Sequence, residues 1–154
     1  MDSSVKTQKG ETASKHRAPP IGRLLESSIY VKDIKQTREF YGRIFGFETL
    51  YTDEEFCALN VAGEQILLVF QHGAASEPSP SDDGSIPTHD GSGELHLAFR
   101  IAADDLAGWD SWLREQNVAI ESKVRWPRGG TSLYFRDPDR HLLEIATPGI
   151  WTIY

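Results

Sequence analysis

Three side chains able to hold a metal or move a proton interrupt apolar, strand-like runs in this sequence. They are Glu26 in Leu25-Glu26-Ser27, His96 in Leu95-His96-Leu97, and Glu144 in Leu142-Leu143-Glu144-Ile145-Ala146. One imidazole and two carboxylates form a hard-to-borderline donor set. It suits a divalent ion such as Fe, Mn, Ni, Co or Zn, with positions left for water and substrate. Two carboxylates brought close also resist joint ionisation unless a cation separates them. Strand alternation decides whether the three can share a face. Leu25, Ile29 and Val31 point one way and Glu26, Ser28 and Tyr30 the other. His96, Ala98 and Arg100 oppose Leu95, Leu97, Phe99 and Ile101, and Glu144 opposes Leu143 and Ile145. All three candidates therefore project from the face that helices leave uncovered. They converge if the two halves of the chain curl together.

Further candidates lie beside them. Tyr134 and Arg100 point toward the same face by alternation and are candidate substrate-binding residues; Arg100 is equally suited to pair with Glu144. Trp126 and Arg128, in Trp126-Pro127-Arg128-Gly129-Gly130, can supply a flat wall and an anion contact. The plainer reading of that segment is a turn with a packed Trp and a solvated Arg. His72, His89 and His141 fall in loops or turns and read as surface residues. Cys57, the one cysteine, sits in an apolar run and reads as a buried spectator; alone it forms no internal disulfide, which fits a reducing compartment.

The elements that must position these groups occur in the order β-α-β-β-β twice. A β-prone run at 25–31 leads to Asp33, a helix N-cap candidate. Ile34, Phe40, Tyr41 and Ile44 follow at helical spacing, and Gly46 closes the helix. Strands are expected at 47–51, 56–61 and 65–70, the last two joined at Ala62-Gly63. The second round has a strand at 95–101, and a helix capped by Asp104 or Asp105 that carries Leu106, Trp109 and Leu113 and ends at Asn117. Strands at 119–123, 132–136 and 142–146 complete it. The repeat has a period of roughly 70–76 residues. It sets Glu26 against His96 and Leu68 against Glu144.

Residues 1–21 are polar, end near Pro19-Pro20, and read as a disordered tail. Residues 22–154 form a single domain, with modules at about 24–71 and 94–148 joined by a flexible loop over 72–93. The net charge is −7, and residues 1–20 carry four cationic against two acidic groups, which leaves −9 for the remainder. Such a body repels phosphate backbones, so no nucleic-acid partner is expected. No apolar run approaches the roughly 20 residues that span a bilayer, and no signal-peptide core is present, so no membrane partner and a cytoplasmic location are expected.

The segments 25–33, 38–47, 95–99 and 133–145 resemble the vicinal oxygen chelate (glyoxalase/bleomycin resistance/extradiol dioxygenase) superfamily. The Phe40-Tyr41…Gly46-Phe47 and Tyr134-Phe135-Arg136-Asp137-Pro138-Asp139 elements are the most specific. The resemblance implies an α+β fold in which two tandem βαβββ modules form a curved mixed sheet around a cavity. It also implies Glu26, His96 and Glu144 as ligands of a divalent metal ion, a small-molecule substrate and a homodimer. The activity it implies is of glyoxalase-like, lyase/isomerase type, acting through a metal-stabilised enediolate, with Glu144 or Glu26 as catalytic base. A non-haem iron extradiol-type dioxygenase and a metal-free binding or resistance protein are the alternatives. Two departures stand out. Leu68 occupies the place of a fourth, glutamate ligand of glyoxalase I enzymes, and Arg140 replaces the glycine of an Asp-Pro-Asp-Gly turn, which puts left-handed geometry there in question.

Overall fold

The computed structural model describes residues 18–154. Most of the expected tail lies outside the described residues. The chain forms two four-stranded sheets. The first holds β1 (Glu26–Val31), β2 (Glu48–Thr52), β3 (Phe56–Val61) and β4 (Gln65–Gln71) in the order β1-β4-β3-β2. The second holds β7 (His96–Arg100), β8 (Ser122–Arg125), β9 (Thr131–Arg136) and β10 (Leu142–Ala146) in the order β7-β10-β9-β8. In each sheet the opening strand runs parallel to the closing one, with Glu26 opposite Ile66 and His96 opposite Leu142. The same pairing sets Ser28 against Leu68 and Ala98 against Glu144. Both equivalences expected from the repeat, Glu26 with His96 and Leu68 with Glu144, are thus met in the register.

Helix α1 (Ile34–Phe45) begins where the Asp33 carboxylate accepts the Gln36 N–H at 2.9 Å, and it ends at Gly46, whose φ of 69° suits a residue without a Cβ. It buries Ile34, Phe40, Tyr41 and Ile44 against the first sheet. Helix α2 (Leu106–Glu115) differs from expectation at its start. A 3₁₀ turn over Ala103–Asp105 runs straight into it, and the Asp105 side chain makes no capping bond. Strand β8 begins at Ser122, three residues later than its apolar alternation suggests. Val118 and Ile120 pack on the core from an irregular approach to the strand, which mimics a strand pattern in sequence. Leu25 lies just outside β1 and is exposed, because the shared core does not extend past the strand's first residue.

One core serves both modules. Ile29, Tyr41, Leu59 and Val69 from the first pack with Leu113, Leu133, Phe135 and Ile145 from the second. Phe45 bridges them, with its ring centroid 4.7 Å from Phe99 and 5.7 Å from Trp109. Each such side chain contributes about 1.5–3 kcal/mol on burial, so the shared cluster ties the two modules together. The seam is also polar. The turn over residues 137–141 is bonded to the first module just past β1 and on α1: Lys32 donates its backbone N–H to Asp139 Oδ1 at 2.9 Å, and the Tyr41 hydroxyl donates to Asp137 Oδ2 at 3.0 Å. Arg140 adopts φ 67°, so the turn keeps the left-handed geometry that its side chain had put in question. The Asp137 carboxylate accepts the N–H groups of Asp139 and His141 on either side, which holds that conformation.

His141 is not at the surface as its turn position suggests; it is fully buried. Its Nδ1 accepts the Leu95 N–H, so its Nε2–H donates to the Tyr30 carbonyl, each at 3.0 Å. Cys57 is buried, and burial pushes its thiol pKa up, as an unreactive core residue requires. Within residues 72–93 a short hairpin forms from β5 (Ser79–Ser81) and β6 (Gly84–Ile86). Strand β2 carries a bulge between Thr49 and Tyr51 and is exposed along its length.

Candidate metal centre

His96 opens β7 and Glu144 lies on the adjacent β10, two residues beyond the direct partner of His96. That diagonal lies within reach of long side chains on one face. His96 Nε2 and Glu144 Oε2 are 3.2 Å apart. Glu144 is buried, while the His96 ring is about half exposed. The other carboxylate oxygen, Oε1, accepts a short bond from the Ser132 hydroxyl, and Ser132 Oγ accepts the Trp126 indole N–H at 2.8 Å. A chain Trp126–Ser132–Glu144 therefore fixes the carboxylate from behind.

The tautomer of His96 follows from its second ring nitrogen. Nδ1 lies 2.9 Å from the Leu142 carbonyl oxygen, which can only accept, so Nδ1 carries the proton. In the neutral ring, Nε2 then presents a lone pair to a carboxylate oxygen that also presents one. Two acceptors at 3.2 Å face each other only with a cation between them, either a proton or a metal. A backbone carbonyl orienting a ligating histidine through its far nitrogen is the usual outer-shell arrangement of metal sites. Histidine and carboxylate are both donors that a divalent ion takes, and here they supply two of its ligands.

Tyr134 lies directly opposite Glu144 on β9. Burial, with the neighbouring carboxylate adding to it, raises the Tyr134 phenol pKa, so the phenol stays a neutral donor. Arg100 does not pair with Glu144: its guanidinium sits 3.8 Å from Glu64 and over the Tyr154 ring, and His96 takes the carboxylate instead. Arg128 is exposed on the turn before β9, whereas Trp126 is turned inward to Ser132. Ser132, two residues before Tyr134, shares its face by strand alternation; alternation does not reveal that Ser132 is fully buried and bonded to Glu144.

Glu26 occupies the position equivalent to His96 but lies in the other sheet. It lines a cavity of about 560 Å³ over the first sheet, together with Leu68, Phe56 and Phe70. Among the described residues, no three His, Cys, Asp or Glu side chains gather within one chain to hold a metal. The fold brings His96 and Glu144 together and leaves Glu26 apart.

The family model for the Glyoxalase/Bleomycin resistance protein/Dioxygenase superfamily matches residues 21–145. The chain is 31% identical over 119 residues to metallothiol transferase FosB of Staphylococcus haemolyticus, covering 76% of this chain and 77% of that protein. It is 29% identical over 131 residues to fosfomycin resistance protein FosX of Listeria monocytogenes, covering 81% and 89%. The solved structure of lactoylglutathione lyase from Agrobacterium tumefaciens superposes with a TM-score of 0.79 at 26% identity, over 88% of this chain and all of that one. With a doubled βαβββ fold and a match across most of its length, the chain belongs to the glyoxalase/bleomycin resistance protein/dioxygenase superfamily.

Proposed function

We propose that this protein is a metal-dependent enzyme acting on a small oxygenated molecule, with Glu26, His96 and Glu144 as the protein ligands. The observation that carries this reading is the 3.2 Å approach of His96 Nε2 to Glu144 Oε2, each side chain held by a partner behind it. Because Glu26 sits over the other sheet, the reading includes a homodimer: the first sheet of one protomer faces the second sheet of its partner, which completes two equivalent sites by two-fold symmetry.

A divalent ion held by Glu26, His96 and Glu144 would supply Lewis-acid polarisation of neighbouring substrate oxygens. The remaining work falls to the chain. Glu144 or Glu26, whichever carboxylate is not engaged as a ligand, serves as the general base that takes a substrate proton; Glu144 is buried and lies close to any group seated at His96. The Ser132 hydroxyl, steadied by the Trp126 indole, holds the Glu144 oxygen that does not face the site. Tyr134 donates its hydroxyl toward substrate from the opposite strand.

The leading reaction is of glyoxalase-like, lyase or isomerase type. A second reading, transfer of a thiol to a small molecule, is favoured by the likeness to metallothiol transferase FosB and by Leu68 standing where glyoxalase I enzymes carry a glutamate. Turnover of the methylglyoxal–glutathione adduct, against thiol addition to fosfomycin, separates the two. The test of the metal reading itself is elemental analysis together with mass in solution. One divalent ion per chain in a dimer is expected, with His96→Ala, Glu144→Ala and Glu26→Ala each losing most of it. A wild-type protein that stays metal-free after incubation with Mn²⁺, Zn²⁺, Fe²⁺, Co²⁺ and Ni²⁺ refutes the reading.

A further inference from the structure

The cavity that contains Glu26 has a second polar end, built by the segment between the modules. The Tyr30 hydroxyl lies 2.7 Å from His89 Nδ1, and the His89 ring meets Phe70 edge-on at 4.7 Å. The backbone N–H of His89 is fixed to the Ala75 carbonyl at 3.0 Å. Gly91 closes the segment onto Tyr30 so tightly that a Cβ there would lie 2.5 Å from the ring. His89 is therefore seated by contacts on three sides, and it lines the same cavity as Glu26. It was expected at the surface; its half-buried position comes from contacts with residues 14 and 59 positions away in sequence, which local polarity does not reveal.

Two features of this end bear on the substrate. Glu26 and Tyr30 lie on one face of β1, four residues apart, and Phe70 is the direct partner of Tyr30. At about 3.3 Å per residue the two ends of the cavity are about 13 Å apart along the strand. A molecule of three or four carbons does not span that distance. The second feature is charge. Asp53, Glu55 and Glu77 line the cavity with Glu26, and among the described residues of one chain no Lys or Arg lines it. Asp53 is held by the N–H groups of Glu55 and Phe56 and by the Tyr51 hydroxyl, so its charge is fixed at the cavity wall.

We propose that His89 is a substrate-binding residue, and that it receives the far end of an elongated substrate which is uncharged or cationic there rather than anionic. The Tyr30 hydroxyl takes up Nδ1, so Nε2 is the His89 nitrogen left free to meet a substrate oxygen, and it donates in the tautomer that accepts the Tyr30 O–H. The acidic wall repels a carboxylate or phosphonate at that end. This inference rests on the metal reading above, because that reading places the reacting end of the substrate at Glu26.

Four probes share a vicinal diol and differ only at the far end: hydroxytyrosol carries a hydroxyl, dopamine an ammonium, 4-ethylcatechol a methyl, and 3,4-dihydroxyphenylacetate a carboxylate. Their binding to full-length protein with and without Zn²⁺ is measured by titration calorimetry. The carboxylate probe is expected to bind at least tenfold more weakly than hydroxytyrosol, and hydroxytyrosol several-fold more tightly than 4-ethylcatechol. His89→Ala abolishes the second difference and His89→Gln, which keeps a donor, restores part of it. A Glu55→Gln, Glu77→Gln double variant narrows the first. Equal or tighter binding of the carboxylate probe, an unchanged hydroxyl preference in His89→Ala, or no binding of any probe overturns the proposal. Metal content distinguishes the two failures. A protein that binds Zn²⁺ but prefers the carboxylate refutes this inference alone, whereas one that shows the expected order without taking up metal refutes only the metal reading.

Discussion

His141→Leu is expected to destabilise the protein by about 3–5 kcal/mol. The ring is fully buried and joins the two modules through Nδ1, which accepts the Leu95 N–H, and Nε2–H, which donates to the Tyr30 carbonyl. Leucine has similar bulk and leaves both backbone groups without a partner in a dry seam. Each orphaned group costs about 1–3 kcal/mol, and the added apolar contact offsets only part of that. Set against a total stability of about 5–15 kcal/mol, the loss is large. For a chain of this size it corresponds to a fall in Tm of roughly 10 °C. Urea denaturation followed by circular dichroism measures it as a lower midpoint at unchanged slope. His72→Leu, an exposed histidine, is the control and is expected to change stability by less than about 0.5 kcal/mol. A cost below about 1 kcal/mol for His141→Leu would show that the two hydrogen bonds do not hold the seam.

Further outcomes follow from other contacts. Ser132→Ala removes the hydroxyl that holds Glu144, and is expected to weaken metal binding about 10–100-fold by chelator competition without loss of fold. Arg140 has φ 67°, so Arg140→Gly is expected to be about 1 kcal/mol more stable than Arg140→Ala in urea. Both variants lose the contact with Glu94, so the difference isolates the backbone. Burial first, then the Asp137 carboxylate, raises the Tyr41 phenol pKa well above its ordinary value. The unfolded chain then releases this proton at about pH 10 while the folded chain keeps it, so stability falls as pH rises beyond that point. Tyr41→Phe should show a shallower alkaline decline between pH 9 and 11. Equal slopes would place Tyr41 in a solvated setting.

The doubled module was legible because its two periodicities alternate at marked boundaries: Asp33 and Gly46 bracket a helical pattern, and runs such as residues 95–101 follow a two-residue one. Alternation also identified the face on which Glu26, His96 and Glu144 lie. It could not identify which sheet faces which, because face is a property of one strand and convergence a property of the assembly; hence Glu26 stands apart from His96. His141 and His89 escaped for a related reason. Polar residues in turns are usually solvated, and what buries these two are partners 46, 111, 14 and 59 positions distant. Strand β8 was displaced because residues that pack on a core from a loop alternate much as a strand does.

The bulge in β2 bears on how copies of this chain can associate. An edge strand exposed along its length offers unpaired N–H and C=O groups to any passing strand, and β2 is such an edge. The irregularity between Thr49 and Tyr51 breaks the even spacing that a docking strand would need. At the outer edge of the second sheet, β8 presents Lys123 and Arg125, whose charges repel a second copy of the same strand. Strand-to-strand extension, the route to open fibres, is disfavoured at both outer edges. The face-to-face pair proposed above adds no strand to either of these edges, so it would close without further growth.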